Sequence, residues 1–174
     1  MESHISKTAS YPRIAVIGPE SSGKTTLSIA LSRKLQLPLV GEFARDYFST
    51  RDYLECNLSD LVEIAKKQYA QAHQKPFHPL ISDTEMITLL IWARDKYKFI
   101  PNEIKMLSDI QFFDLYLLCY PDMPWELDPL RTDAHRRIEI FELYQQNLIQ
   151  NRKAFIVLKG SLDTRIQQVI NFLA

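Results

Sequence analysis

Five short apolar runs, each followed by a helix-patterned stretch, constrain this 174-residue chain more than any other feature. The runs are residues 13–18 (RIAVIG), 38–40 (PLV), 80–83 (LISD), 114–120 (DLYLLCY) and 154–159 (AFIVLK). Short apolar runs stopped by Gly, Pro or a polar residue read as buried strands. Between them, residues 23–35 carry Leu27, Ala30, Leu31 and Leu35 at helical spacing, and 43–50 also reads as helix. Leu61, Ile64, Ala65, Gln68, Tyr69 and Ala72 recur at i, i+3, i+4, with Asn57 or Ser59 as the cap and Pro76 and Pro79 as breakers. Residues 84–97 are apolar nearly all round, which predicts a buried helix. Pro101 suits the first turn of another helix, Asp133 can cap one running to about Gln150, and Ser161 one running to Leu173. Strands that alternate with helices pair parallel, with the helices on both faces. The expected fold is therefore α/β, a three-layer αβα sandwich around a five-stranded parallel sheet. One domain spans 12–174 after a polar, poorly ordered tail at 1–11. Prolines at 121, 124 and 129 predict an irregular loop over 121–133.

Lys and Arg number 21, and so do Asp and Glu. That balance argues against a nucleic-acid binder or a binder of anionic membranes, but not against a small anion held by local geometry. No apolar run approaches the ~18–20 residues of a membrane span, and residues 1–13 lack the apolar stretch of a secretory signal. Cys56 and Cys119 lie far apart without ligand spacing, as expected of reduced thiols in a cytoplasmic protein. The four histidines show no metal-ligand spacing either. Glycine is scarce: 4 residues, where average usage would give about 12. All four fall at the predicted C-terminal ends of strands, where parallel sheets bind ligands. Glycine also ends strands for ordinary reasons, so Gly41 and Gly160 taken alone leave both readings open.

Residues 18–25, Gly-Pro-Glu-Ser-Ser-Gly-Lys-Thr, match GxxxxGK[ST] between a predicted strand and a predicted helix. In this phosphate-binding P-loop, backbone N–H groups of the loop and helix N-terminus point at phosphate oxygens. Gly18, Glu20, Ser21, Ser22, Gly23, Lys24, Thr25 and Thr26 make the expected nucleotide cradle. Lys24 reaches the β- and γ-phosphates of ATP, and the Thr25 hydroxyl coordinates Mg²⁺. The second metal-side group should end a neighbouring strand, and Asp83 does; it could equally cap the helix that follows. Glu42, after the second strand, could take a proton from an attacking hydroxyl, bond a ribose diol, or simply favour a helix start. Arg45 could clamp substrate or pair with a carboxylate.

No base-reading motif of a switch GTPase follows the fifth strand, which leaves a small-molecule kinase with an arginine lid at about 121–137. Arg131, Arg136 and Arg137 gather at a predicted helix start, against the helix dipole, and Arg131 and Arg136 are the favoured pair. Trp125 could stack a flat ring or pack the loop down.

The blocks GPESSGKTTL, GEFARDYF, SDTEMIT and LLCYPDMPWELDPLRTDAHRR together resemble the ribosylnicotinamide kinase domain of NadR-type proteins, over about residues 12–170. The resemblance implies a P-loop kinase fold and transfer of the ATP γ-phosphate to the 5′-hydroxyl of nicotinamide riboside. It implies that Glu42 and Arg45 face the riboside, that Trp125 and Asp128 help bind it, and that Arg131 and the arginines after it form the lid. Expected catalytic groups are Lys24, Glu42, Asp83, Arg131 and Arg136, with Glu42 or Asp83 positioning the hydroxyl and Thr25 and Asp83 managing Mg²⁺. The alternative is a regulatory P-loop ATPase that acts with a protein partner.

Overall fold

The computed structural model describes residues 12–74, 78–127 and 133–174. The expected tail at 1–11 lies outside the described residues, as do Pro76, Asp128, Pro129 and Arg131. Strands β1 (Arg13–Ile17), β2 (Leu39–Val40), β3 (Leu80–Asp83), β4 (Leu115–Cys119) and β5 (Phe155–Leu158) form one sheet in the order β2-β3-β1-β4-β5. Every pairing is parallel, with Val16 opposite Asp83 on one side and Leu117 on the other. The helices are α1 (Lys24–Leu35), α2 (Phe43–Phe48), α3 (Leu58–His73), α4 (Met86–Tyr97), α5 (Asn102–Ile110), α6 (Arg137–Gln150) and α7 (Leu162–Leu173). A 3-10 turn covers Tyr53–Glu55.

All five residues of β1 are buried, because successive side chains enter opposite layers. Ile14 and Val16 pack with Leu27 and Leu31 of α1 and Val169 of α7. Ala15 and Ile17 pack on the other face with Ile87 of α4 and Tyr144 and Leu148 of α6. Full burial of a Leu such as Leu27 is worth about 1.5–3 kcal/mol. A third cluster, with Leu61, Ile64, Met86, Leu89 and Ile104, joins α3, α4 and α5. Among the described residues, no helix is long and apolar enough to cross a membrane.

Two helix starts differ from expectation. Helix α4 begins at Met86, not Thr84, because Thr84 takes φ +77°, outside the right-handed helical region. Glu85, not Asp83, is the cap and accepts from the Ile87 N–H at 2.9 Å. Helix α6 begins at Arg137 because residues before it form a turn, in which the Arg136 N–H donates to the Asp133 carbonyl at 2.9 Å. Asp133 therefore does not cap the helix, and its carboxylate faces the Arg136 guanidinium at 3.3 Å. Asn57 and Ser161 cap as expected, Asn57 in a reciprocal box with Asp60.

Buried Arg13 ties the N-terminal edge of the sheet together. Its guanidinium donates to the carbonyls of Phe112, His78 and Ala72, and its backbone N–H donates to Asp114.

Candidate active site

β1 delivers the chain to the P-loop at the C-terminal edge of the sheet. Gly18 has φ +142°, and a Cβ there would stand 2.6 Å from the Cys119 carbonyl oxygen. Gly23 has φ +80°, and its Cβ would meet the Met123 sulfur at 2.9 Å. Both positions require glycine. Gly41 has neither a positive φ nor a neighbour within 4 Å of a Cβ, so nothing local demands glycine there. No side chain caps Gly23 and no acidic residue sits in the first turn of α1. A helix N-terminus left this way is suited to an anion. Lys24 Nζ donates to the Pro19 carbonyl at 2.8 Å, and the Ser22 hydroxyl donates to the same oxygen at 2.7 Å.

Asp83 ends β3 beside β1 and is only 2% exposed. Burial first, and then the charge of Glu42, push its pKa up to about 6 against the pull of Thr25, Lys24 and Arg45. Its Oδ1 has no hydrogen-bond partner. A buried orphan carboxylate oxygen beside a hydroxyl and the phosphate loop fits a hard cation with oxygen ligands. Glu42 leads into α2 from the adjacent strand β2, and Arg45, one turn on, donates to it at 3.1 Å.

The connection after β4 grips the P-loop from the opposite side. Glu20 accepts from the Trp125 indole N–H at 2.9 Å and from the Asp133 N–H at 2.6 Å. Ser21 accepts from the Glu126 N–H at its hydroxyl and from Arg137 at its carbonyl, each at 3.1 Å. Fully buried Arg165 of α7 donates to the carbonyls of Ser22, Gly160 and Tyr120 and pairs with Asp122. Arg136 instead pairs with Asp95 at 2.7 Å and Glu139 at 2.8 Å. Thus Arg137, the less favoured of the two described lid arginines, is the one on the P-loop. The Trp125 nitrogen anchors to Glu20, the tie expected of a residue that packs the loop down.

A cavity of about 410 Å³ opens between these parts. Residues of the P-loop line it, together with Glu42, Arg45, Tyr53, Trp92 and Asp95. The Tyr53 and Trp92 rings lie 5.6 Å apart at 31°. Sequence reasoning missed Tyr53, Asp95, Asp122 and Arg165, and it read Trp92 as core because its neighbours are all apolar. Among the described residues, no cluster of three or more His, Cys, Asp or Glu could hold a metal. A hard cation at Asp83 and Thr25 would complete its shell with other oxygen donors such as water or phosphate.

Residues 13–165 match the family model described as AAA domain. The chain is 28% identical over 170 residues to the trifunctional NAD biosynthesis/regulator protein NadR of Escherichia coli (strain K12), spanning 92% of this chain and 41% of that one. The chain thus spans well under half the length of that curated relative. Among solved structures, a NadR protein in complex with NR superposes with a TM-score of 0.70 at 22% identity, over 93% of this chain and 49% of that one. The deoxyadenosine kinase of M. mycoides with bound dCTP gives 0.64 at 16% identity, over 92% of this chain and 98% of that one. The loop at Gly18–Thr25, the parallel sheet and the matched family model agree, and the chain belongs to the AAA domain family, with a likeness to NadR over most of its length.

Proposed function

We propose that this chain is an ATP-dependent nucleoside kinase that phosphorylates the 5′-hydroxyl of nicotinamide riboside to give nicotinamide mononucleotide. The observation that carries the reading is the cavity, which residues of the P-loop line together with Glu42 and Arg45. The likeness to NadR, one form of which was solved with NR, supports the choice of acceptor.

In this reading the amides of residues 18–26 and Lys24 hold the triphosphate. Thr25 and Asp83 would hold Mg²⁺, which when bound neutralises charge on the β- and γ-phosphates. Glu42 lines the cavity and takes the proton of the 5′-hydroxyl. The new O5′–Pγ bond forms as the bond from Pγ to the β,γ-bridging oxygen breaks, and that electron pair leaves on ADP. Arg45 steadies Glu42 and the riboside. The Tyr53 and Trp92 rings offer an apolar wall for a flat base. Arg137, at the Ser21 carbonyl, supplies lid charge with Arg131, while Arg136 is held by Asp95 and Glu139. Positioning and electrostatics supply the rate.

The test is purified protein with Mg·ATP and a panel of nucleosides. ADP release stimulated by nicotinamide riboside, with the monophosphate identified by mass, is the expected result. ADP release that no nucleoside alters would sink the reading in favour of a regulatory ATPase. Glu42→Gln should lower turnover about 100-fold or more while nucleotide binding persists.

A further inference from the structure

Gln68 of α3 is a polar residue in the middle of an apolar helix face, and it is 2% exposed. Its carbonyl oxygen accepts from the Phe43 N–H at 2.7 Å, and its amide nitrogen donates to the Gly41 carbonyl at 3.2 Å. Those two backbone groups flank Glu42. The same nitrogen lies 3.5 Å from the Ser82 hydroxyl and 3.5 Å from the Thr84 carbonyl. Those two groups flank Asp83. One side chain therefore contacts groups that flank both carboxylates: two backbone groups beside Glu42, and a hydroxyl and a backbone carbonyl beside Asp83.

The segment it touches is strained. Thr84 holds φ +77°, which costs a threonine on the order of 1–3 kcal/mol and persists only where the surroundings enforce it. The enforcement is visible: the Ser82 hydroxyl donates to the Thr84 carbonyl at 2.7 Å, and the Thr84 N–H donates to the Val16 carbonyl at 3.0 Å. Gln68 backs the same turn from the α3 side. β2 has only two residues, paired to β3 at Leu39 and Val40, so the ladder stops before Glu42. Beyond Val40, the Gln68 amide is a direct tie between the two strand ends.

We infer that Gln68 is a positioning residue that fixes the spacing between Glu42 and Asp83, and so aligns the proton acceptor with the phosphate site. The inference rests on the kinase reading above for what the two carboxylates do. It predicts a specific split: loss of the tie spares nucleotide binding, which depends on the P-loop, and lowers turnover.

Gln68→Met fills the same volume and makes neither bond. Binding stoichiometry and affinity are measured first with a non-hydrolysable ATP analogue, and turnover is then expressed per nucleotide-binding site. The expected result is affinity within about threefold of wild type and turnover lower by about 10–100-fold, the scale of an ångström's misplacement. Turnover per site within about threefold of wild type would overturn the inference, because a residue that only supports folding lowers the number of sites and not their rate. If Gln68→Met does not fold, Gln68→Asn decides by the same criteria, since its shorter side chain reaches one strand end only. Wild-type protein inert toward every nucleoside would remove the kinase reading alone. Basal ADP release, which still needs Asp83 in place, then serves as the turnover to compare.

Discussion

Asp83 is held away from water with one carboxylate oxygen unpartnered. Its folded pKa of about 6 lies above its ordinary 3.8, so the native state keeps the proton longer than the unfolded chain does. The native state is therefore favoured below about pH 4, and that advantage is lost as pH rises through 6. Asp83→Asn cannot ionise. It should melt higher than wild type at pH 8 by roughly 4–8 °C, corresponding to about 2 kcal/mol, and nearly level with it at pH 4. Nucleotide turnover should collapse in the same protein. Equal melting at both pH values would remove the argument. The arginines separate at this scale too. Arg137→Ala removes the link between the P-loop at Ser21 and the connection after β4 at Met123 and should cost about 100-fold in turnover, while Arg136→Ala, whose partners are Asp95 and Glu139, should cost less than about tenfold. The motif residues were legible in the sequence because their spacing is a chemical requirement. Arg137 was not, because adjacent arginines in a turn point in directions that only the turn decides. Gln68 left a trace, a polar residue at an apolar position, but its partners lie on two distant strand ends.

At the scale of elements, the strands were legible because burial on both faces makes them continuous apolar runs. Helix starts were less so. Glu85 and Thr84 moved the start of α4, since a left-handed residue after a strand has no sequence mark when it is not glycine. The far end of the sheet carries its own device. His73, the last residue of α3, accepts the Phe112 N–H at Nε2 and donates from Nδ1 to the Tyr69 carbonyl, both at 3.0 Å, which fixes the neutral ring. Burial, with Arg13 nearby, lowers its pKa against the pull of the Tyr69 carbonyl. A base whose folded pKa is lowered loses its contribution as pH falls through 6.5 and below. Protection of the Phe112 amide against hydrogen exchange, corrected for intrinsic rate, should therefore fall between pH 7.5 and 5.5. In His73→Phe it should be low at both.

Over the whole molecule, the alternation of strands and helices was read correctly as an α/β fold around a five-stranded parallel sheet, but it could not show how the parts of the site are anchored. The P-loop is braced from the β4–β5 side by Trp125, Arg137 and Arg165. Glu42 and Asp83 are braced from the β2–β3 side, by Gln68 of α3. Arg165→Met should leave the Ser22, Gly160 and Tyr120 carbonyls without their buried donor. It should weaken nucleotide binding by about tenfold or more, with the KM for the nucleoside changed little. A nucleoside KM that moves as far as the nucleotide affinity would count against this division. With β1 at the centre of the order β2-β3-β1-β4-β5, the proposed donor and acceptor are each moored to a different flank. The phosphoryl group would then move from the midline, where β1 delivers the P-loop, toward the β2–β3 flank. A relative that changed its acceptor could do so by rebuilding one flank, with the loop that grips ATP left as it is.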